Sequence, residues 1–113
     1  MQDGIGVRGI DVHEARTLQH HDTLMLDVRE SGEWGAGHIP GATHIPLDHL
    51  SQHGLPTQQK IVAICRSGNR SGMATSALAM AGYDVVNMAG GMIAWQAAGY
   101  PVIDDQGEPG SIQ

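Results

Sequence analysis

The sequence predicts one α/β domain in which helices cover both faces of a parallel sheet, a three-layer α/β/α arrangement. The chain has 113 residues, a length typical of a single domain with a single core. Short apolar runs alternate with segments suited to helices, and this order gives right-handed crossovers between parallel strands. Polar and charged residues directly follow two of the apolar runs, as expected at the sheet edge where α/β folds bind ligands.

Composition and charge exclude several classes of protein. Apolar residues make up 41% of the chain and charged residues 16%, which is too apolar for a disordered protein. Six Lys plus Arg against twelve Asp plus Glu give 6 − 12 = −6, so general nucleic-acid binding is not expected. The apolar stretches 61–65 and 73–81 are far shorter than the roughly 20 residues that span a bilayer. Residues 1–10 lack the pattern of a secretory signal, so we expect a cytoplasmic protein.

The first third of the chain predicts one helix and one buried strand. A short strand or turn at residues 10–12 leads into a helix at about 12–20, whose start is marked by a capping-box spacing. The apolar run 24–28 ends in charged residues and predicts a buried parallel strand. Residues 31–37 are expected to form a helical turn at most, because three glycines each cost roughly 1 kcal/mol relative to alanine.

The middle of the chain predicts loops, a brief strand and then a long strand. Prolines and a glycine surround the brief strand at 43–45. A short helix is expected at 47–53, ended by Gly54 and Pro56. The run 60–64, KIVAI, is β-branched and nearly uncharged, which predicts a strand buried on both faces. A polar loop follows at once, and then a small-residue helix at about 71–80.

The C-terminal part predicts a further strand at 83–88, a turn at Gly90-Gly91 and a last helix at 92–98. The glycine turn is expected to pack this helix on the sheet, with no part in catalysis. The domain is expected to span residues 1–103. Residues 104–113 are acidic and rich in glycine and proline, and they are expected to form a flexible tail.

Cys65 is the only cysteine, which excludes a disulfide within the chain and any multi-cysteine metal site. A lone cysteine is often an inert core residue, but the neighbours of Cys65 favour a nucleophile. It ends a buried strand and opens a loop that contains Gly68, Asn69 and two arginines, directly before a helix N-terminus. Backbone N–H groups of such a loop can converge on one anion and lower a thiol pKa below about 8.5. A thiolate held in this way needs no histidine base.

Four motifs in order also carry a resemblance. They are Asp27-Val28-Arg29 with Glu33-Trp34, Gly37-His38-Ile39-Pro40-Gly41-Ala42 with Ile45-Pro46, Cys65-Arg66-Ser67-Gly68-Asn69-Arg70-Ser71, and Gly90-Gly91-Met92-Ile93-Ala94-Trp95. Together they resemble a single-domain rhodanese, a sulfurtransferase, over about residues 10–102. The resemblance implies a five-stranded parallel sheet flanked by helices.

The resemblance also implies a ping-pong reaction. Cys65 takes a sulfane sulfur from a donor, thiosulfate or a persulfide, becomes a persulfide, and passes the outer sulfur to a thiophilic acceptor. The acceptor is cyanide or a thiol, including a protein thiol such as thioredoxin. No cofactor is expected, and neither nucleic acid nor a membrane is an expected partner. The protein is expected to be a monomer or a weak dimer.

Site residues follow from the loop and from the resemblance. Cys65 is the nucleophile, and the cradle for the sulfur is built mainly from backbone N–H groups of Arg66, Ser67, Gly68, Asn69, Arg70 and Ser71. Either arginine could meet an anionic donor or form a structural ion pair. Asp27 and Arg29 are implied to brace the loop, and the alternative is a salt bridge that only holds the fold.

Two departures bear on the substrate. Related phosphatases and arsenate reductases place an arginine after five intervening residues, whereas here the second arginine follows after four, since 70 − 65 = 5, and residue 71 is serine. This spacing disfavours both activities. Animal-type thiosulfate enzymes carry basic residues at positions that align with Glu33 and Ser67. An acid and a neutral residue leave fewer positive charges for a dianion, so the identity of the donor stays open.

Two further interpretations have to be weighed. His49 and His53 have a spacing that can bind a metal, with His44 upstream, but no carboxylate or cysteine completes the set and we expect no metal site. The chain could also be a persulfide carrier, or a module that acts through protein contacts. Pure docking modules commonly lack the cysteine, and the intact Cys65 loop argues against one.

Overall fold

Five parallel strands form one sheet in the computed structural model, which describes residues 8–52 and 54–113. The strands are Gly9–Ile10 (β1), Thr23–Asp27 (β2), Thr43–His44 (β3), Lys60–Ile64 (β4) and Val85–Met88 (β5). Their order across the sheet is β1-β5-β4-β2-β3, so the two most apolar strands lie at its centre. This confirms the α/β fold with a five-stranded parallel sheet.

Helices cover both faces of the sheet. They are Val12–Gln19 (α1), Ser31–Ala36 (α2), Asn69–Met80 (α3) and Gly91–Ala97 (α4), together with a 3-10 helix at Leu47–Gln52. The packing of α1 and α4 on one face encloses a core around the fully buried Trp95. On the opposite face, α3 and the 3-10 helix enclose a second core that includes Leu50 and Leu78. The three-layer arrangement that the sequence predicts is therefore present.

The long central strand sets the position of the site. The predicted strand 60–64 is confirmed with the same bounds, and its last four residues are buried. It pairs in parallel with β2 along its whole length, so that Asp27 lies beside Ile64. Because parallel strands end at the same edge of a sheet, the residues that follow β2, β4 and β5 gather at one place.

Helix α2 is longer than the single turn that the sequence predicts. Glu33 accepts a hydrogen bond from the backbone N–H of Glu30 at 3.0 Å, which satisfies a free donor at the helix start. The ring of Trp34 is stacked between His38 and His44, with centroid distances of 3.7 and 4.9 Å. These contacts offset the cost of the glycines in the helix.

Other boundaries differ by a few residues. Helix α3 begins at Asn69 and not at 71, because Gly68 takes a left-handed conformation (φ 108°) that turns the chain directly into the helix. The segment after Pro46 forms a 3-10 helix in place of the expected α-helix. Strand β5 starts at Val85, two residues later than expected.

Residues 104–113, for which the sequence predicts a flexible tail, have defined contacts in the structure. Ile103 bridges His38 and also Pro109, so the chain folds back on itself. The N–H of Ser111 donates to the carbonyl of Ala36 at 2.9 Å. The backbone of Ser111 lies so close to Gly37 that no side chain would fit there. Main-chain hydrogen bonds thus fasten this segment to the end of α2.

In residues 8–52 and 54–113, no helix is both long enough and apolar enough to cross a membrane.

Candidate active site

The thiol of Cys65 lies at the end of the central strand, one residue after β4. Its side chain is only 1% exposed and packs with residues of the core between the sheet and α3. The sulfur nevertheless faces polar donors. Its Sγ accepts hydrogen bonds from the N–H of Gly68 at 3.1 Å and from the hydroxyl of Ser71 at 3.2 Å. The left-handed conformation of Gly68 is what turns this N–H back toward the sulfur.

These donors favour the anionic form of the thiol. Burial raises the pKa of the Cys65 thiol. Hydrogen bonds from the Ser71 hydroxyl and from the backbone N–H groups of Ser71, Gly68 and Ser67 together lower this pKa by more than burial raises it. The net pKa lies below the ordinary value of a thiol. The sequence anticipates a thiolate stabilised by loop amides and by arginines, whereas the largest lowering contributions come from the hydroxyl and the amides.

Asn87 supports the loop from the neighbouring strand β5, and the sequence analysis missed it. Its Oδ1 accepts a hydrogen bond from the Ser71 hydroxyl at 2.5 Å, so the single hydroxyl proton is shared between Asn87 and the Cys65 sulfur. Its Nδ2 donates to the carbonyl of Gly68 at 3.1 Å. One side chain thus fixes both residues that contact the Cys65 sulfur. The signal was present in the sequence, because Asn87 is the one polar residue of the strand VVNM.

The glycine turn before α4 holds the loop as well as packing the helix. The N–H groups of Met92 and Ile93 donate to the carbonyls of Cys65 and Arg66 at 2.9 and 3.1 Å. Gly91 takes φ 60°, and a side chain there would overlap the carbonyl of Arg66. Gly91 thus positions the Cys65 loop in addition to starting the last helix, and the expectation that the turn takes no part in catalysis stays a prediction.

Arg70 is paired with Glu33 of α2. Its Nη1 and Nη2 donate to Glu33 Oε1 and Oε2 at 2.6 and 2.8 Å, and the two side chains are 33% and 18% exposed. The hydrogen bond from Arg70 is the main cause that lowers the pKa of Glu33 to about 2. In turn, the hydrogen bond to Glu33 raises the pKa of Arg70, and the charge of Cys65 adds to that rise. Arg70 therefore lies close enough to Cys65 for an electrostatic interaction between the guanidinium and the thiolate.

The other loop residues lie at the surface. Arg66 is exposed, and its Nε donates to the carbonyl of Gln113 at 2.8 Å. Ser67 is exposed and contributes its backbone N–H to the thiol. Asn69 opens α3 and is also exposed. Of the predicted cradle, Ser67, Gly68 and Ser71 supply hydrogen bonds to the sulfur, whereas the two arginine side chains bond to partners outside the loop. The roles of Arg66, Asn69 and Arg70 toward a substrate stay predictions.

Asp27 and Arg29 form a separate pair with no exposure to solvent. The Nε and Nη2 of Arg29 donate to the Asp27 carboxylate at distances from 2.8 to 3.1 Å. Nη2 also donates to the carbonyl of Gly37 at 2.7 Å, while Nη1 has no hydrogen-bond partner within the described part of the chain. These contacts hold the end of β2 to the end of α2, and the implied bracing of the Cys65 loop by this pair stays a prediction.

Neither the histidines nor the main cavity adds to this site. The Nε2 of His44 donates to the carbonyl of Arg29 at 2.7 Å. His53 lies outside the described residues. Over the ranges that the structure describes, no group of three or more His, Cys, Asp or Glu could hold a metal ion. A cavity of about 410 Å³ lies between the 3-10 helix and α3, lined by residues such as Leu50, Leu78 and Tyr83, away from the Cys65 loop.

Comparisons with known proteins agree with this geometry. Residues 11–98 match the profile of the rhodanese-like domain family. A sulfurtransferase of Allochromatium vinosum is 36% identical over 96 residues, which cover 81% of this chain and 89% of the relative. The protein slr1261 of Synechocystis is 36% identical over 97 residues, and there the match spans 83% of this chain but only 54% of the relative.

A solved structure shows the same fold. The crystal structure of a rhodanese-related protein from Thermoplasma volcanium superposes with a TM-score of 0.80 at 33% identity and covers 85% of this chain and 97% of that one. The family profile matches well over half of the sequence, and the cysteine loop lies within the matched residues. The chain belongs to the rhodanese-like domain family.

Proposed function

We propose that the protein is a sulfurtransferase that carries sulfane sulfur as a persulfide on Cys65. Its family and its sulfurtransferase relative support sulfur transfer in general. The observation that carries the finer proposal is the environment of one atom. The sulfur of the sole cysteine accepts hydrogen bonds from the Gly68 N–H and the Ser71 hydroxyl, which favour its anionic form.

The first half-reaction loads the enzyme. The Cys65 thiolate attacks the outer sulfur of the donor, a new S–S bond forms, and the old bond to that sulfur breaks with its electron pair leaving on the donor fragment. With thiosulfate the leaving fragment is sulfite, and the product is the Cys65 persulfide anion. No external oxidant or reductant is needed, because the sulfane sulfur is transferred at its existing oxidation level.

The second half-reaction returns the free thiolate. A thiophilic acceptor attacks the outer sulfur of the persulfide, and the S–S bond breaks with its electron pair returning to Cys65 Sγ. With cyanide the product is thiocyanate, and with a thiol it is a new persulfide. The N–H and hydroxyl donors around Sγ favour this step, because they stabilise the charge that develops on the leaving thiolate.

Phosphatase and arsenate reductase activities are disfavoured by the loop. Arg70 is engaged with Glu33, and residue 71 places a hydroxyl, not a guanidinium, beside the sulfur. A tetrahedral oxyanion would therefore lack the arginine clasp that those enzymes use. A persulfide carrier with little turnover uses the same Cys65 chemistry, and the experiment below separates it from an enzyme.

The test combines turnover with intact mass. The protein is incubated with thiosulfate and cyanide, and thiocyanate is followed. In parallel, intact mass should show a gain of roughly 32 Da, one sulfur, that disappears when cyanide is added. Turnover supports the enzyme, whereas an adduct that forms without turnover supports a carrier. The absence of both, with thiosulfate and with persulfide donors alike, overturns the proposal in favour of a docking module.

A substitution locates the chemistry. Cys65→Ala should abolish both the adduct and the turnover while the circular dichroism spectrum stays unchanged. Ser76→Ala, a serine on α3 outside the loop, serves as the control and should keep wild-type activity. Full turnover in Cys65→Ala would remove Cys65 from the mechanism.

A further inference from the structure

The charge around Cys65 is smaller than the loop sequence suggests. Two arginines lie in the loop, but each is engaged by an oxygen outside it: Arg70 by the Glu33 carboxylate and Arg66 by the carbonyl of Gln113. The contact of Arg66 is a single hydrogen bond on an exposed side chain, which solvent can replace. The contact of Arg70 is bidentate and joins opposite charges.

Glu33 is fixed in place by its own helix. Its carboxylate also accepts the N–H of Glu30 at 3.0 Å, so it has partners on two sides. The next residue, Trp34, is stacked between two histidine rings, which limits rotation of α2. Glu33 stays ionised throughout the neutral range, since Arg70 lowers its pKa to about 2. The Glu33 carboxylate therefore stays negatively charged opposite the Arg70 guanidinium at neutral pH, and we call this contact the mask over Arg70.

A donor that approaches Cys65 meets little net positive charge. Arg66 keeps its positive charge at the exposed side of the loop, because its partner is a neutral carbonyl. The charges of Glu33 and Arg70 cancel, the reactive form of Cys65 is itself an anion, and the whole chain carries a formal charge of −6. Thiosulfate brings two negative charges to this place. A thiol-bound sulfane sulfur brings its charge, if any, on one sulfur atom and does not need a guanidinium to clasp a sulfonate group.

We infer that Glu33 determines donor specificity by masking Arg70, so that Cys65 takes its sulfur from thiol persulfides in preference to dianionic thiosulfate. The inference rests on the proposed function and names its donor class. In the loading step the Cys65 thiolate attacks the outer sulfur of R–S–S–H, and the S–S bond breaks. The thiolate R–S⁻ leaves with the electron pair, and the proton stays on the transferred sulfur. Atoms and charge balance without a further reactant.

The test measures loading of Cys65 by intact mass with two donors, thiosulfate and 2-hydroxyethyl persulfide, each followed at a series of concentrations. Wild type should load from the persulfide at a much lower concentration. In Glu33→Gln the guanidinium is released, and the KM for thiosulfate in cyanide turnover should fall about tenfold while kcat stays within twofold. Loading from the persulfide should stay within twofold of wild type.

Matched variants separate the effect of pairing Arg70 with Glu33 from a general effect of removing a negative charge. Glu14→Gln removes one exposed carboxylate from α1 and should leave both donors unchanged. Glu33→Gln combined with Arg70→Gln should lose the gain toward thiosulfate, because the gain depends on the released guanidinium.

The outcomes are distinct. The inference is overturned if wild type loads equally well from both donors, or if Glu33→Gln leaves the thiosulfate KM at the wild-type value. The wild-type comparison decides the matter even if the variant folds poorly. Failure of the proposed function looks different, because then neither donor adds a sulfur to Cys65 in any variant.

Discussion

Two guanidinium–carboxylate pairs in residues 8–52 and 54–113 have the same chemistry and different surroundings. Arg29 and Asp27 are both 0% exposed, and their hydrogen bonds stay inside the protein. Arg70 and Glu33 are 33% and 18% exposed, and they join the cysteine loop to α2. Both pairs are bidentate, Arg29 through Nε and Nη2 and Arg70 through Nη1 and Nη2, and the larger difference between them is burial.

Burial decides what each pair can do. A buried charge that loses its partner cannot be solvated by water, so breaking the Asp27–Arg29 pair strongly destabilises the fold. A pair at the surface contributes little to folding, because solvent screens its charges. The Glu33–Arg70 pair is thus free to be altered with small cost to the fold, which suits a role in setting the charge that a substrate meets.

The largest effect should come from the buried pair. Asp27→Asn leaves the Arg29 charge without a counter-ion in the interior, and we expect a loss of about 3–5 kcal/mol in the free energy of unfolding. Urea denaturation followed by tryptophan fluorescence measures it. The surface pair Lys60–Asp84 supplies the control, since Asp84→Asn should cost less than about 1 kcal/mol. Equal losses in the two variants would contradict the distinction drawn by burial.

The next effect tests whether arginine charge or hydrogen bonding holds the thiolate. Ser71→Ala removes a donor to Cys65 Sγ and raises the thiol pKa, so alkylation by iodoacetamide at pH 7 should slow about tenfold, as for a hydrogen bond to a charged group. The pH–rate profile should move to higher pH. Arg70→Gln should move this profile less. A larger shift in Arg70→Gln would show that the exposed Glu33–Arg70 pair has the greater influence on the thiol pKa.

A smaller effect is expected from pH acting on the exposed pair. The pKa of Glu33 lies at about 2 in the folded protein against 4.5 ordinarily, so the pair stabilises the fold fully above pH 4.5 and loses this contribution as the pH falls through 2. Because the pair reaches solvent, we expect only about 1 kcal/mol. The difference in unfolding free energy between wild type and Glu33→Gln should narrow from pH 6 to pH 3. A constant difference would argue against the ion pair.

The smallest effect concerns Arg66, the exposed arginine of the cysteine loop. Arg66→Gln removes the hydrogen bond to the Gln113 carbonyl and should change the free energy of unfolding by less than about 0.5 kcal/mol. The segment 104–113 should stay fastened through its main-chain bonds. Hydrogen exchange at the Ser111 N–H measures this, and protection equal to wild type is expected. Rapid exchange at Ser111 already in the wild type would support the flexible tail that the sequence predicts.

The sequence predicts best what depends on local chemistry. The strand Lys60–Ile64 is found with its predicted bounds, because a run of β-branched residues has few alternatives to the centre of a sheet. The position of Cys65 between this strand and a helix follows from the same pattern. The amides that face its sulfur were also foreseeable, since a glycine within such a loop permits the turn.

What the sequence could not predict depends on distant partners. Asn87 reaches the loop from another strand, and Gly91 meets the carbonyl of Arg66 across the sheet edge. The ion pair between Arg70 and Glu33, which lie 37 residues apart in the sequence, likewise results from tertiary packing. The cytoplasmic location, the state as monomer or weak dimer, and the absence of cofactor, metal and nucleic-acid partners stay predictions.

The depth of the thiol gives loading and unloading different steric demands. Cys65 is 1% exposed, so a donor has to present a slender end to reach its sulfur. Under the proposed function, the transferred sulfur of the persulfide would lie a bond length of about 2 Å beyond Sγ. A recipient therefore need not reach as deep as the supplier did, and bulky molecules such as other proteins are better suited to collecting the sulfur than to delivering it.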